Sequence, residues 1–187
     1  MTKDELRKKY KELRNQLSKD EIDIKSVAIA KQLLQLDIWD KKYFHLFLTI
    51  TKQNEVYTKP IFEILREHNK KIVVSKLDFD TITMYHFLLT DATLIIANKF
   101  NIPEPQNGIE VLDDKIEVVF VPLLAFDVFG NRVGFGKGFY DVFLSKCTPK
   151  TIKIGLSFFD AEQFIQDVFE TDIKLDYCIT PLQVYKF

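Results

Sequence analysis

Apolar side chains recur at Leu6, Tyr10, Leu13 and Leu17, the i, i+4, i+7, i+11 spacing of one helix face, and predict a helix over about 3–17. Ser18 and Asp20 offer capping chemistry for a second helix over about 20–36, which carries Ile22, Val27, Ile29, Ala30, Leu33 and Leu34. The texture then changes to short apolar runs rich in β-forming residues. YFHLFLTI (43–50), KIVVSK (71–76), IEVVFVP (116–122), IKIGLSF (152–158) and YCIT (177–180) read as strands. TITMYHF (81–87) alternates as a half-buried strand does. Helical segments are predicted at about 58–69 and from near Lys137. Strands interleaved with helices predict an α/β fold, three-layer α/β/α with a mainly parallel central sheet. One domain is expected over residues 1–187, with the helices of about 3–36 packed on a core of about 43–187. The longest irregular stretch is expected at about 98–115, around NIPEPQNG, and long loops in compact domains are often functional.

Composition narrows the function classes. The net charge of -1 supplies no long-range field for nucleic acid, so no nucleic-acid partner is expected. Cys147 and Cys178 form no CxxC or metal-ligand spacing and read as reduced thiols. His45 lies in an apolar run and reads as a satisfied core residue. The N-terminus is too charged for a signal peptide and too acidic for a transit peptide, and no apolar run is long enough to cross a bilayer. A cytoplasmic monomer without a membrane partner is expected.

The six glycines are distributed unevenly: Gly130, Gly134, Gly136 and Gly138 fall within GNRVGFGKGFYD (130–141). This run follows the strand 116–122 and leads into a helical segment. A glycine-rich turn at a helix N-terminus offers free N–H groups and the positive end of the helix dipole, which suits phosphate. Arg132 and Lys137 add charge. The run is neither a Walker A motif, since Gly138 follows Lys137, nor a dinucleotide GxGxxG, since Phe139 stands at the third glycine. Asp141, in the first helical turn, suits the dipole and could also hold Mg²⁺ together with a second carboxylate. Asp172 and Asp176 of DIKLD are both available, and spacing does not choose between them. At about 100° per residue Lys3, Arg7 and Arg14 share an arc of about 40° beside the apolar stripe of the first helix. They can cover apolar surface or close over an anion. Glu104, between Pro103 and Pro105, is held extended, either as a stiff turn or as a presented carboxylate.

These motifs together resemble the 5-formyltetrahydrofolate cyclo-ligase family. NRVGFGKGFYDVFL, VPLLAFD and IPEP carry the resemblance, with KDELRKKYKELR at the start and DIKLDYCIT near the end. It implies a three-layer α/β/α enzyme that uses Mg²⁺ and ATP to convert 5-formyltetrahydrofolate to 5,10-methenyltetrahydrofolate, releasing ADP and phosphate. It further implies that Lys3 and Arg7 contact ATP, with Arg7 also near the folate. The nucleotide loop would comprise Arg132, Gly134, Phe135, Gly136, Lys137, Gly138, Phe139 and Tyr140, with Lys137 and Arg132 acting in catalysis and Phe135–Phe139 also lining the folate site. Leu48, Glu55 and Glu104 would contact the folate, and Asp141 and Asp172 would hold Mg²⁺. Leu123 follows Pro122 where the family often has glycine, and Phe139 stands where tyrosine is common. Two other classes remain open: a folate- or nucleotide-binding protein without turnover, and a different enzyme on a related frame, such as a sugar-phosphate isomerase or CoA transferase. Dependence on ATP separates them from the ligase.

Overall fold

A computed structural model describes residues 1–187. Two capping boxes open the N-terminal helices: Thr2 and Glu5 exchange side-chain and backbone bonds to start α1 (Lys3–Asn15), and Ser18 and Glu21 do the same for α2 (Lys19–Leu33). The chain then forms β1 (Tyr43–His45), α3 (Lys59–Glu67), β2 (Lys71–Asp78), β3 (Thr83–Leu88), β4 (Ile95–Ala97), β5 (Pro103–Pro105) and β6 (Ile109–Glu110). It continues with β7 (Val118–Pro122), β8 (Ala125–Phe126), β9 (Arg132–Val133), α4 (Phe139–Lys146), β10 (Ile152–Leu156), β11 (Tyr177–Ile179) and β12 (Val184–Lys186).

Eight strands form the main sheet in the order β12–β11–β10–β7–β1–β2–β3–β6. The central five, β11, β10, β7, β1 and β2, are parallel, and antiparallel strands flank them on both sides. Side-chain alternation divides the core between the two faces. Phe44, Val118, Phe120, Ile154 and Leu156 pack with Ile29 and Leu33 of α2 and Ile61 and Leu65 of α3. On the other face Val73, Val119 and Val121 pack with Phe139, Phe143 and Leu144 of α4. The α/β/α layering therefore holds, with a thin second layer. Helix α1 lies at the sheet's end, where Leu6 and Tyr10 pack on Leu124, Ala125, Val133 and Ile165.

The predicted strand 43–50 pairs in the sheet only over Tyr43–His45. Its continuation leaves the sheet and turns through a short 3-10 helix, Thr51–Gln53. The expected irregular stretch 98–115 contains β5 and β6: β5 forms a small hairpin with β4, and β6 extends the main sheet's edge. No helix is long and apolar enough to cross a membrane.

Candidate functional site

Chain order places the site. From β1 the chain goes to β2 on one side and later returns as β7 on the other, so the connections diverge at the carboxyl ends of these strands. Ligands of open α/β sheets bind at such divergence points. A cavity of about 790 Å³ opens there, within the usual range for small-molecule sites. Pro122 ends β7 at its wall, Leu77 and Phe79 come from the end of β2, Ile50 and Glu55 follow β1, and α1 closes one side with Lys3, Arg7, Lys11 and Asn15. Its lining holds six cationic side chains (Lys3, Arg7, Lys11, Lys52, Arg132 and Lys137) against three carboxylates (Glu55, Asp141 and Asp172), which favours an anionic ligand.

The glycine loop forms a second wall. Gly136 and Gly138 have left-handed backbone, with φ of 89° and 78°. No protein group accepts the backbone N–H of Gly134, Phe135, Gly136, Lys137 or Gly138, so this run presents its donors to whatever enters. The Arg7 Nε donates to the Gly134 carbonyl at 3.0 Å, tying α1 to the loop. A Cβ on Gly136 would lie 3.3 Å from that guanidinium. Gly130 serves the fold instead, because Phe187 and the Leu175 carbonyl leave no room for a side chain there.

The two expected metal carboxylates both line the cavity, Asp141 in the first turn of α4 and Asp172 from the segment before β11. Asp141 Oδ1 accepts from Arg132 at 2.6 Å and from the Ile173 N–H at 3.3 Å, which brings the 172–173 segment beside α4. Arg132 also donates to the Ile173 carbonyl. Asp172 Oδ2 accepts from Lys3 Nζ at 2.5 Å and from the Phe169 N–H at 2.7 Å. One oxygen of each carboxylate, Asp141 Oδ2 and Asp172 Oδ1, has no protein partner. Two carboxylates, each with one oxygen free of protein partners, beside a loop of open N–H groups are the kind of donor set that Mg²⁺ takes when phosphate and water complete its shell. No group of three or more acidic, histidine or cysteine ligands gathers here. Asp176 lies elsewhere, paired with Lys153 at 2.8 Å.

Glu55 is 3% exposed, and burial raises its carboxyl to about 7, against the opposing effects of the Ile50 N–H and Arg14. Tyr140 also lines the cavity, and burial raises its phenol well above the usual range. Behind it runs a buried polar chain. His45 Nε2 lies 2.7 Å from Ser75 Oγ, Ser75 Oγ lies 2.8 Å from His86 Nδ1, and His86 Nε2 lies 3.1 Å from Asp113. Burial lowers both histidines, His86 to about 4, so both are neutral and seat α4 through Phe143. His45 is thus a core residue as its sequence context suggests, but only its Nε2 is satisfied, by Ser75, and its buried Nδ1 meets no hydrogen-bond partner.

Three of the residues singled out in the sequence stand away from the wall of the large cavity. Leu48 does not reach the large cavity; it lines a separate one of about 280 Å³ beside Tyr57 and Phe62, because the chain leaving β1 turns it away, and Ile50 takes the wall position. Glu104 is buried and accepts the Leu77 N–H at 3.1 Å, so it ties β5 to the end of β2 while Ile102 faces the cavity. Arg14 leaves the cationic arc, since α1 passes over Leu123 at that point and buries the guanidinium, and Lys11 faces the cavity instead. Lys3, Arg7, Glu55, Arg132, Asp172 and every residue from Gly134 to Asp141 line the cavity.

Sequence reasoning missed the aromatic mouth, where Phe79 packs on Phe100 and on Phe139 with ring centres 4.7 and 5.2 Å apart. A phenyl ring at position 139 needs no hydroxyl for that edge contact. Phe79 and Phe100 lie in segments whose periodicity reports only strand or loop, so no local signal marks them.

The fold and the cleft define an α/β protein with a cavity rich in cationic side chains at the strands' carboxyl ends. Residues 1–181 match the model of the 5-formyltetrahydrofolate cyclo-ligase family, and the chain belongs to that family. It is 29% identical over 183 residues to a probable 5-formyltetrahydrofolate cyclo-ligase of Schizosaccharomyces pombe, covering 88% of each chain. It is 28% identical over 186 residues to the mouse 5-formyltetrahydrofolate cyclo-ligase, covering 91% of this chain and 89% of the relative. The solution structure of Aquifex aeolicus 5,10-methenyltetrahydrofolate synthetase superposes with a TM-score of 0.81 at 28% identity, covering 100% of this chain and 93% of that one. A Mycoplasma pneumoniae 5,10-methenyltetrahydrofolate synthetase gives 0.77 at 27% identity, covering 97% and 99%.

Proposed function

We propose that this protein cyclises 5-formyltetrahydrofolate to 5,10-methenyltetrahydrofolate with ATP and Mg²⁺, releasing ADP and phosphate. The observation that carries this reading is the run of open N–H groups at Gly134–Gly138 beside Lys137 and the two carboxylates. An amide oxygen is a poor leaving group. Its attack on the γ-phosphorus expels ADP and leaves a phosphorylated imidate, N10 then adds to that carbon, and phosphate departs as the ring closes with loss of the N10 proton.

The chain's part is positioning and charge stabilisation. The loop N–H groups and Lys137 would hold the transferring phosphoryl oxygens. Arg132 keeps Asp141 oriented, and Lys3 does the same for Asp172. A Mg²⁺ ion held by these two carboxylates would offset charge on the phosphate oxygens. The aromatic mouth and the buried Glu55 suit a flat heterocycle that carries N–H donors. Enclosure by α1 would keep water from the activated imidate.

The test follows methenyl product by absorbance after mixing protein, 5-formyltetrahydrofolate and Mg²⁺, with and without ATP. Product should grow only with ATP, and Lys137→Ala should lower kcat/KM by about 100-fold or more while the fold persists. Folded protein that binds folate without turnover would favour the binding-protein reading. Turnover without ATP would overturn the mechanism.

A further inference from the structure

Ring closure as proposed above removes a proton from N10, and that proton needs an acceptor. The side chains lining the cavity divide sharply in this respect. Six are cationic and donate. Tyr140 is a phenol that burial raises well above the usual range, so it keeps its proton. None of the three histidines reaches the wall: His45 and His86 pack under Phe143 of α4, and His68 lies at the end of α3.

Three carboxylates remain. Asp141 is held by Arg132 at 2.6 Å and Asp172 by Lys3 at 2.5 Å, and both stand at the proposed metal position. Glu55 differs from them. The one protein bond of its carboxylate comes from the Ile50 N–H, which Oε2 accepts at 2.8 Å. Its Oε1 has no protein partner, on a side chain that lines the cavity and is only 3% exposed. A carboxylate so shielded is a stronger base than one in water, because burial disfavours its charge. Burial, opposed by the Ile50 N–H and Arg14, sets its midpoint at about 7, which suits a proton acceptor near neutral pH. The charged or titratable groups around it are Arg14 and Lys11 of α1, Lys52 of the 3-10 helix and Tyr140 of α4.

We propose that Glu55 is the general base of the reaction, taking the N10 proton on its free oxygen as the new ring closes. The inference rests on the cyclo-ligase reading of this cavity. The N10 lone pair bonds to the phosphorylated carbon as the imidate π pair moves onto N5. The proton passes from N10 to Glu55 Oε1 and leaves its bonding pair on N10. The carbon–oxygen bond then breaks, its pair departs with phosphate, and the two nitrogens share the resulting cation. The neutral Glu55 returns its proton to water. An arylammonium such as the one formed at N10 is acidic enough for a carboxylate to deprotonate.

Glu55→Gln keeps the length of the side chain and, through its amide carbonyl, the bond to Ile50, but it cannot take up a proton. It should lower kcat by about 100-fold or more. The Kd for 5-formyltetrahydrofolate, measured by equilibrium dialysis without ATP, should change less than about threefold, whereas a residue that only binds the folate would shift Kd and spare kcat. In wild type kcat/KM should fall as pH drops below about 7, and this acid limb should be absent in Glu55→Gln. An unchanged kcat in folded Glu55→Gln overturns the proposal and leaves the departing phosphate as the proton acceptor. Where the variant does not fold, a wild-type kcat/KM that is level from about pH 8 to about pH 6 overturns it equally. Wild-type protein that makes no product defeats the cyclo-ligase reading and this inference with it. Wild-type turnover that Glu55→Gln leaves intact defeats this inference alone.

Discussion

Gly136 and Gly138 hold the loop in left-handed backbone, whereas Gly134 has ordinary backbone and open space around it. The two demands call for different outcomes on substitution. Gly136→Ala should destabilise the fold by about 1 kcal/mol or more, because the new methyl meets both an unfavourable φ and the Arg7 guanidinium. Gly134→Ala should leave the melting temperature near wild type, yet raise KM for ATP several-fold by filling space beside the open N–H groups. Thermal melts and nucleotide titrations of the two variants check this, and a Gly134→Ala enzyme with unchanged KM would remove Gly134 from the phosphate cradle. Spacing shows where glycines cluster; which ones serve the ligand depends on what lies opposite them.

Three adjacent strands, β1, β2 and β3, supply His45, Ser75 and His86, and α4 rests on the two imidazoles through Phe143. Both histidines are neutral in the fold and take up protons when unfolded, so the unfolded chain binds more protons over this range. With the folded value of His86 near 4, against an ordinary 6.5, their contribution is complete above about pH 6.5 and falls as pH drops toward 4. Glu55 acts in the opposite sense between 7 and 4.5, gaining as its buried carboxyl becomes neutral. Two histidines outweigh one carboxyl, so denaturant midpoints should fall between pH 6.5 and 4.5, and His86→Gln should flatten that decline. A decline equally steep in the variant would remove His86 as its source. At this scale the helices were legible in advance, since capping residues and apolar spacing are local. The short strands β8, β9 and β12 were not, because two- and three-residue segments carry no period and pair only when the rest of the fold presents an edge.

Helix α1 reaches the far end of the chain through Lys3, whose backbone N–H donates to Asp167 at 2.6 Å and whose amine pairs with Asp172. Arg7 joins the same helix to the glycine loop. The cavity is thus closed by residues widely separated in sequence. Asp172→Asn should release Lys3 and remove one proposed metal carboxylate together, raising the Mg²⁺ concentration for half-maximal turnover by at least about tenfold and exposing α1 to faster proteolysis. A Mg²⁺ requirement unchanged in that variant would exclude Asp172 from the metal site.

The division between sequence and structure follows the range of the forces involved. Helix faces, capping boxes, the apolar central strands and the glycine-rich loop depend on neighbours a few residues apart, so the order of residues determined them. The family motifs also lie in contiguous runs and could be read directly. Tertiary structure decided that β3 and β12 turn antiparallel, that the segment after β1 leaves the sheet, and therefore that Ile50 rather than Leu48 meets the cavity. It also buried Arg14 while leaving Lys11 at the wall, two residues of one helix separated only by what α1 passes over. Glu104 became a tie between strands because the Leu77 N–H lay opposite it. These outcomes depend on which distant groups come to face one another, and that is set when the sheet assembles.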